Sequence, residues 1–232
     1  MLGIPYTGCG AASSAVTFNK RYTVAVAKMA GIAVADSVHL FKGSPYNVEE
    51  ILGKLALPLF VKPNNGGSSI GMSKVLLAEE LGAAIEKAFT VDDQVLVEQM
   101  IDGREFTVGV YKVNGKAEVL NITEVRAHDT KEFFDFEAKY EGHSTEITPA
   151  IMDEHKAVKV KEAAKKIYDV FSCGGIIRID FIYNEADDTP YMLEVNTIPG
   201  QSAASIVPQQ VAASGGNLKD FYSQLVESCF VR

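Results

Sequence analysis

The period of apolar residues changes several times along the chain, and each change marks an element. Tyr22, Ala25, Val26 and Met29 recur at helical spacing behind Asn19, an N-cap residue type, and ahead of Gly31, a helix stop. They predict a helix with those four side chains at helical spacing along it. An extended segment over 32–41, a Gly/Ser/Pro break, a helix near 48–55 and a strand over 59–61 follow. In 78–89, Leu81, Ala84, Ile85, Ala88 and Phe89 share one helix face, and 94–98 reads as a short strand. Together these elements predict a compact α+β unit ending near Met100.

From Phe106 the pattern becomes strand-rich: 106–112 and 117–123 flank Asn114-Gly115, a hairpin signal. The next stretch of about 25 residues has no period, and loops of that length inside a domain are usually functional or disordered. It holds Phe133-Phe134-Asp135-Phe136-Glu137-Ala138-Lys139-Tyr140, too aromatic for a solvated linker, and is expected to fold over something. Asp153 is expected to cap a helix with Ala157, Val160, Ala164, Ile167 and Phe171 inward. Lys156, Lys159, Lys161, Lys165 and Lys166 point mostly outward as a solvated face. A last helix over 218–231 repeats the pattern with Leu218, Phe221, Tyr222, Leu225, Val226 and Cys229. Residues 1–18 are small, turn-rich and without strong period, and read as a connector.

Strand parity is most informative over 175–183 and 190–196, two strands joined by a polar turn. The odd positions Ile177, Ile179, Phe181, Tyr183, Tyr191, Leu193 and Val195 are apolar or aromatic and predict a buried face. The even positions Arg178, Asp180, Glu194 and Asn196 then share the opposite face. An even register brings the two carboxylates within reach of one site; an odd one separates them.

Composition narrows the classes. The 232 residues are 47% hydrophobic and 22% charged, which suits one or two globular domains and excludes disorder. A net charge of -8 disfavours nucleic acid and anionic membranes as partners, so an anionic ligand needs a local cationic pocket. Cys9, Cys173 and Cys229 have neither disulfide-like nor ligand-like spacing and read as buried thiols in a reducing compartment. No apolar run approaches the roughly 20 residues that span a bilayer, and the first residues lack signal-peptide regions, so the expected location is cytoplasmic.

Two constellations carry chemistry. In Val61-Lys62-Pro63-Asn64-Asn65-Gly66-Gly67-Ser68-Ser69-Ile70-Gly71, the glycines allow positive φ and aim N–H groups at one anion, with donors from Ser68 and Ser69 and charge from Lys62. The same composition also makes an ordinary turn, and the spacing is neither a Walker loop nor a dinucleotide fingerprint. On the hairpin, two carboxylates and an amide oxygen are hard ligands suited to magnesium, and Arg178 beside them suits an oxyanion. Alternatively, Arg178 simply pairs with Asp180 or Glu194 on a wet face. His39, His128, His143 and His155 lack zinc-ligand spacing. Lys20, in the first turn of its helix, reads locally as surface charge opposing the helix dipole.

In this order, Ile4-Pro5-Tyr6-Thr7-Gly8, Val61-Lys62-Pro63, Gly67-Ser68-Ser69-Ile70-Gly71-Met72, Glu105-Phe106-Thr107-Val108, Glu137-Ala138-Lys139-Tyr140, Arg178-Ile179-Asp180, Glu194-Val195-Asn196-Thr197-Ile198-Pro199-Gly200 and Ser205-Ile206-Val207-Pro208 resemble the D-alanine:D-alanine ligases of the ATP-grasp superfamily. The resemblance covers nearly the whole chain. It implies an α+β ATP-grasp fold with lobes at about 19–101 and 102–232, with 1–18 as connector. It further implies ATP contacts from Lys20, Lys62, Ser68, Ser69, Glu98, Gln99, the backbone near Ile101, Glu105 and Lys139, which overturns the local reading of Lys20. Gln99 stands where the family usually has lysine. Two Mg2+ or Mn2+ ions are implied at Asp180, Glu194 and Asn196. Arg178, Ser69 and Tyr140 fall at catalytic positions, and Arg178, Gly200, Ser205 and Ile206 at substrate positions.

The implied reaction makes D-alanyl-D-alanine for peptidoglycan. A D-alanine carboxylate takes the γ-phosphoryl of ATP, and a second D-alanine amine displaces phosphate from the acyl phosphate. Tyr140 after the loop lysine favours D-alanine as acceptor over D-lactate. An N-terminal domain of about a hundred residues, the usual domain scale, is expected to be missing here, as is its contribution to the homodimer. Full ligase activity would then be impaired, leaving a different D-amino or D-hydroxy acid ligase, or a nucleotide-binding fragment, as alternatives.

Overall fold

A computed structural model describes residues 3–113, 115–127 and 144–230. The elements in order are α1 (Ala11–Phe18), α2 (Lys20–Met29), β1 (Ser37–Phe41), α3 (Val48–Leu52), β2 (Leu59–Pro63), β3 (Ser73–Val75), α4 (Leu81–Phe89), β4 (Gln94–Gln99), β5 (Arg104–Val113) and β6 (Lys116–Ala127). They continue with β7 (Ser144–Ile147), α5 (Glu154–Val170), β8 (Ile176–Asn184), β9 (Thr189–Asn196), α6 (Ile206–Ala213) and α7 (Leu218–Glu227). One sheet has the order β1-β4-β2-β3 and the other β7-β6-β5-β8-β9, with every pair antiparallel.

Each sheet has its own core. Leu81, Ala84, Ile85, Ala88 and Phe89, the predicted face of α4, are all buried against the first sheet, with Leu59, Val61, Val95 and Val97. On the second sheet, Phe106, Val108 and Val110 of β5 and Ile177, Ile179, Phe181 and Tyr183 of β8 meet Val160, Ala164, Ile167 and Tyr168 of α5. Its opposite face is divided. At one end Ile176 joins Val207, Val211, Phe221 and Leu225 in a small core under α6 and α7; at the other the sheet lines a polar cleft. Cys9, Cys173 and Cys229 are free, buried thiols, as read from their spacing.

Several local expectations are corrected. Residues 11–18 form helix α1 despite the weak period, and Thr23 of α2 ties the α1–α2 junction by donating to the carbonyls of Val16, Thr17 and Asn19. That tether rotates α2, so Thr23 and Ala27 are buried while Tyr22 and Met29 stand 51% and 86% exposed. Asn19 does cap α2, its side-chain oxygen accepting the Tyr22 N–H. Asp153 occupies the N-cap position of α5 without a capping hydrogen bond. Its carboxylate lies 3.6 Å from Lys156 Nζ. Val226, expected inside, is 50% exposed. Strand order replaces part of the expected long loop: β6 runs on to Ala127 and β7 pairs back from Ser144.

The β8–β9 parity holds only up to a bulge. Arg178 pairs with Asn196, Ile179 with Val195 and Asp180 with Glu194, but Phe181 is then opposite Met192. The extra residue, Leu193, shifts the rest of β9 by one, so Met192 enters the core at 2% exposure and Leu193 turns to the cleft. A bulge reverses side-chain alternation at the point of insertion.

Candidate active site

Between the sheets lies a cleft of about 670 Å³. Lys20, Lys62, Ser68, Ser69, Glu98, Gln99, Ile101, Glu105, Asp180 and Glu194 all line it, bringing together positions spread over much of the chain. Lys139 and Tyr140 lie outside the described residues, as does most of the aromatic stretch read as a covering loop.

On the first sheet, β2 delivers Lys62 into the cleft, where it pairs with the buried carboxylate of Glu98 on the neighbouring β4. Lys20 arrives from the first turn of α2. Asn64, fully buried, holds that turn in place: its backbone oxygen accepts the Lys20 N–H at 3.2 Å and its side-chain oxygen the Arg21 N–H at 2.8 Å. Lys20 Nζ in turn donates to the Gly66 carbonyl at 3.1 Å. Burial, and then the nearby Lys62 charge, push the Lys20 ammonium below the usual lysine range. Two ammonium groups lining one cleft favour a multiply charged anion there.

The loop after Lys62 is anchored at its start by Asp92, whose carboxylate accepts from Asn65 N at 2.7 Å and Asn65 Nδ2 at 2.9 Å. Positive φ falls at Gly66 and Gly71, as the loop composition allows, and also at Ser68 and Ser69, where it is uncommon for residues with a Cβ. Gln99 lines the cleft while its side-chain oxygen accepts the Ala56 N–H at 3.0 Å.

On the second sheet, Asp180 directly faces Glu194. Arg178 grips Asp180 with both arms, Nε at 2.9 Å from one oxygen and a terminal nitrogen at 2.8 Å from the other, and stands 3.8 Å from Glu194. Asp180 is the main cause of the raised Arg178 pKa. From β5, Thr107 lies opposite Asp180 and donates its hydroxyl to the same carboxylate at 2.5 Å. Asn196, next to Arg178 in register, accepts the Ile198 N–H at 3.0 Å. Gly200 packs against Ser205, which precedes Ile206 at the start of α6; these three, like Arg178 and Asn196, stand outside the cleft lining.

At the rim, Glu124 is a buried carboxylate held by Arg104 and Arg126, each at 2.8 Å. Burial pushes its carboxyl up, but the two guanidiniums outweigh burial and bring it below the usual range. Sequence reading missed this trio, Asn64 and Thr107. Thr107 could have been found by parity, since β5 carries it on the same face as Glu105; parity also puts Arg126 beside Glu124 on β6, but nothing local points to Arg104.

Asp180 and Glu194 face one cleft in the even register, and their carboxylate oxygens are of the kind that fits a hard divalent cation, whereas Asn196 shares their strand face outside the cleft lining. Among the described residues no cluster of three or more His, Cys, Asp or Glu forms a metal site. The magnesium reading therefore rests on two carboxylates and an amide.

Two antiparallel sheets gripping a cleft, lysines on one side and carboxylates on the other, define the ATP-grasp class, and solved ATP-grasp ligases share the fold. The family model described as "D-ala D-ala ligase C-terminus" matches residues 20–227. The D-alanine--D-alanine ligase of Phocaeicola vulgatus is 46% identical over 230 residues, covering 99% of this chain and 70% of that protein. Among solved structures, the Bacillus anthracis D-alanine--D-alanine ligase complexed with ATP superposes with a TM-score of 0.83 at 29% identity, covering 99% of this chain and 72% of that one. The VanG D-Ala:D-Ser ligase from Enterococcus faecalis superposes with a TM-score of 0.84 at 34% identity, covering 99% and 65%. The chain belongs to the D-alanine--D-alanine ligase family.

Proposed function

We propose that this chain provides the nucleotide and acceptor sites of an ATP-dependent ligase that joins two D-alanines through an acyl phosphate. The observation carrying the proposal is the placement of Lys20 and Lys62 across one cleft from Asp180 and Glu194. In this reading Lys20 and Lys62 bind the nucleotide phosphates, with Ser68 and Ser69 of the loop above them. Glu98, Gln99 and the backbone at Ile101 receive adenine, and Glu105 the ribose. Asp180, Glu194 and Asn196 would hold Mg2+ or Mn2+, which when bound neutralises phosphate oxygens. The donor carboxylate displaces ADP from the γ-phosphoryl; the acceptor amine then attacks the acyl carbon and expels phosphate. Arg178 turns to the oxyanion of the tetrahedral intermediate. Gly200, Ser205 and Ile206 face the acceptor, and Lys139 and Tyr140 cover the site. A cytoplasmic location and a homodimer belong to the same reading. Among the described residues no helix is long and apolar enough to cross a membrane.

The test is D-alanine-dependent phosphate release from ATP in the presence of Mg2+, with the dipeptide identified by mass. ATP binding by calorimetry without D-alanine-dependent turnover would reduce the chain to a nucleotide-binding unit. The likeness to a D-Ala:D-Ser ligase at 34% identity favours one second reading, a different acceptor. Substituting D-serine or D-lactate for the second D-alanine in the same assay decides it.

A further inference from the structure

Outside the cleft, the side chain of Gln210 is fully buried, a rare placement for a carboxamide on an otherwise apolar helix face between Val207 and Val211. Its partners account for the placement. Oε1 accepts the Gly109 N–H at 2.9 Å, while Nε2 donates to the Thr107 carbonyl and to Thr123 Oγ1, each at 3.0 Å. Both amide protons are thus used. Gly109 sits where the β5–β6 ladder shifts register between Val108 and Val110, and a Cβ there would come within 2.8 Å of Gln210 Oε1. Gln210 fills the gap in the ladder, and glycine leaves room for it.

The same strand residue faces the site. Thr107, whose carbonyl Gln210 holds, gives its hydroxyl to Asp180. At the other end, Gln210 lies little more than a turn into α6, the helix that begins at Ile206 behind Ser205. Hydrogen bonds therefore run from Gln210, one turn into α6, to Thr107 and from Thr107 to Asp180.

We propose that Gln210 is a positioning residue that fixes the acceptor end of α6 relative to the Asp180 carboxylate. The proposal rests on the reading that Ser205 and Ile206 face the acceptor amino acid. Loss of the link lets α6 shift against β5, and misplacement by about an ångström is enough to impair reaction strongly. Lys20 and Lys62, read as holding the nucleotide phosphates, lie on α2 and β2, away from this link, and keep their geometry.

The variant Gln210→Met keeps side-chain length while removing all three bonds. Val211→Ala, in the neighbouring apolar core, serves as the control for simple loosening of the helix. In steady-state kinetics with ATP and D-alanine, Gln210→Met is expected to raise the acceptor KM about tenfold, with the ATP KM changed less than about twofold. Val211→Ala is expected to leave the acceptor KM near the parent value despite a comparable fall in melting temperature. An unchanged acceptor KM in Gln210→Met, or an equal rise in Val211→Ala, overturns the proposal. Amide exchange provides a readout without turnover: Gln210→Met should accelerate exchange together at Gly109 and in the first turn of α6, and Val211→Ala in the first turn alone. Exchange at Gly109 unaltered by Gln210→Met also overturns it. Absence of D-alanine-dependent phosphate release in the parent protein is a separate failure, that of the ligase reading.

Discussion

Asp180 stands opposite Glu194, and immediately beyond that pair Leu193 is bulged so that Phe181 meets Met192 instead. The bulge ends the paired carboxylate face just where the apolar cleft wall begins. Glu194→Gln keeps the shape and removes one charge, so the metal-dependent part of ATP affinity should disappear while metal-free binding is kept. Titration calorimetry with and without Mg2+ reads this directly; equal Mg2+ enhancement in both proteins would remove Glu194 from the metal site.

Lys20 predicts a pH dependence of binding. Burial and Lys62 lower its pKa, so it loses its proton at a pH below that of an ordinary lysine. ATP affinity should therefore fall on the alkaline side earlier than a solvated lysine would allow, and Lys20→Arg should move that limb upward. For stability the sign is opposite: between the lowered folded value and the ordinary unfolded one, the unfolded chain binds more protons, so the Lys20 contribution becomes less unfavourable as pH rises. ATP titrations across a pH series, with Lys20→Arg as comparison, test the binding limb.

Glu124 predicts acid sensitivity. Its folded carboxyl lies below the usual range because Arg104 and Arg126 outweigh burial, so its stabilisation is present above the unfolded carboxyl pKa and lost as pH falls through the folded value. Glu124→Gln should lower stability at neutral pH by about 2 kcal/mol, the scale of a lost charge-assisted hydrogen bond, and flatten the acid limb. Urea unfolding at neutral and acid pH measures both; an equal deficit at every pH would show that charge is not the cause.

Gly175 predicts how residues 3–10 are held. It has φ +63, and a Cβ there would stand 1.5 Å from the Thr7 carbonyl oxygen. Gly175→Ala cannot keep that contact, so the N-terminal segment should detach, with a stability loss of about 2–4 kcal/mol, the upper part of the usual range for single substitutions. Limited proteolysis should cut within residues 3–10 sooner than in the parent, and an unchanged cleavage pattern would count against the contact.

What the sequence determined by itself follows from strong local periods and from residues whose chemistry is tied to one position. The face of α4, the odd-position core of β8, the Asn19 cap and the shared face of Arg178, Asp180 and Glu194 are all legible, because period and parity follow from backbone geometry alone. The ligase family was legible as well, from motifs in order along the chain. Other features belong to the tertiary structure. The rotation of α2 was decided by the Thr23 and Asn64 tethers, and the exit of Leu193 from the core by a bulge. The pairing of buried Glu124 with Arg104, on the neighbouring strand, and the burial of Gln210 above Gly109 depend on partners outside the local sequence. A hydrogen bond between residues about a hundred positions apart leaves no trace in any local period. Such bonds decide which of several compatible side chains is turned inward, whereas periodicity decides only that some side chain must be.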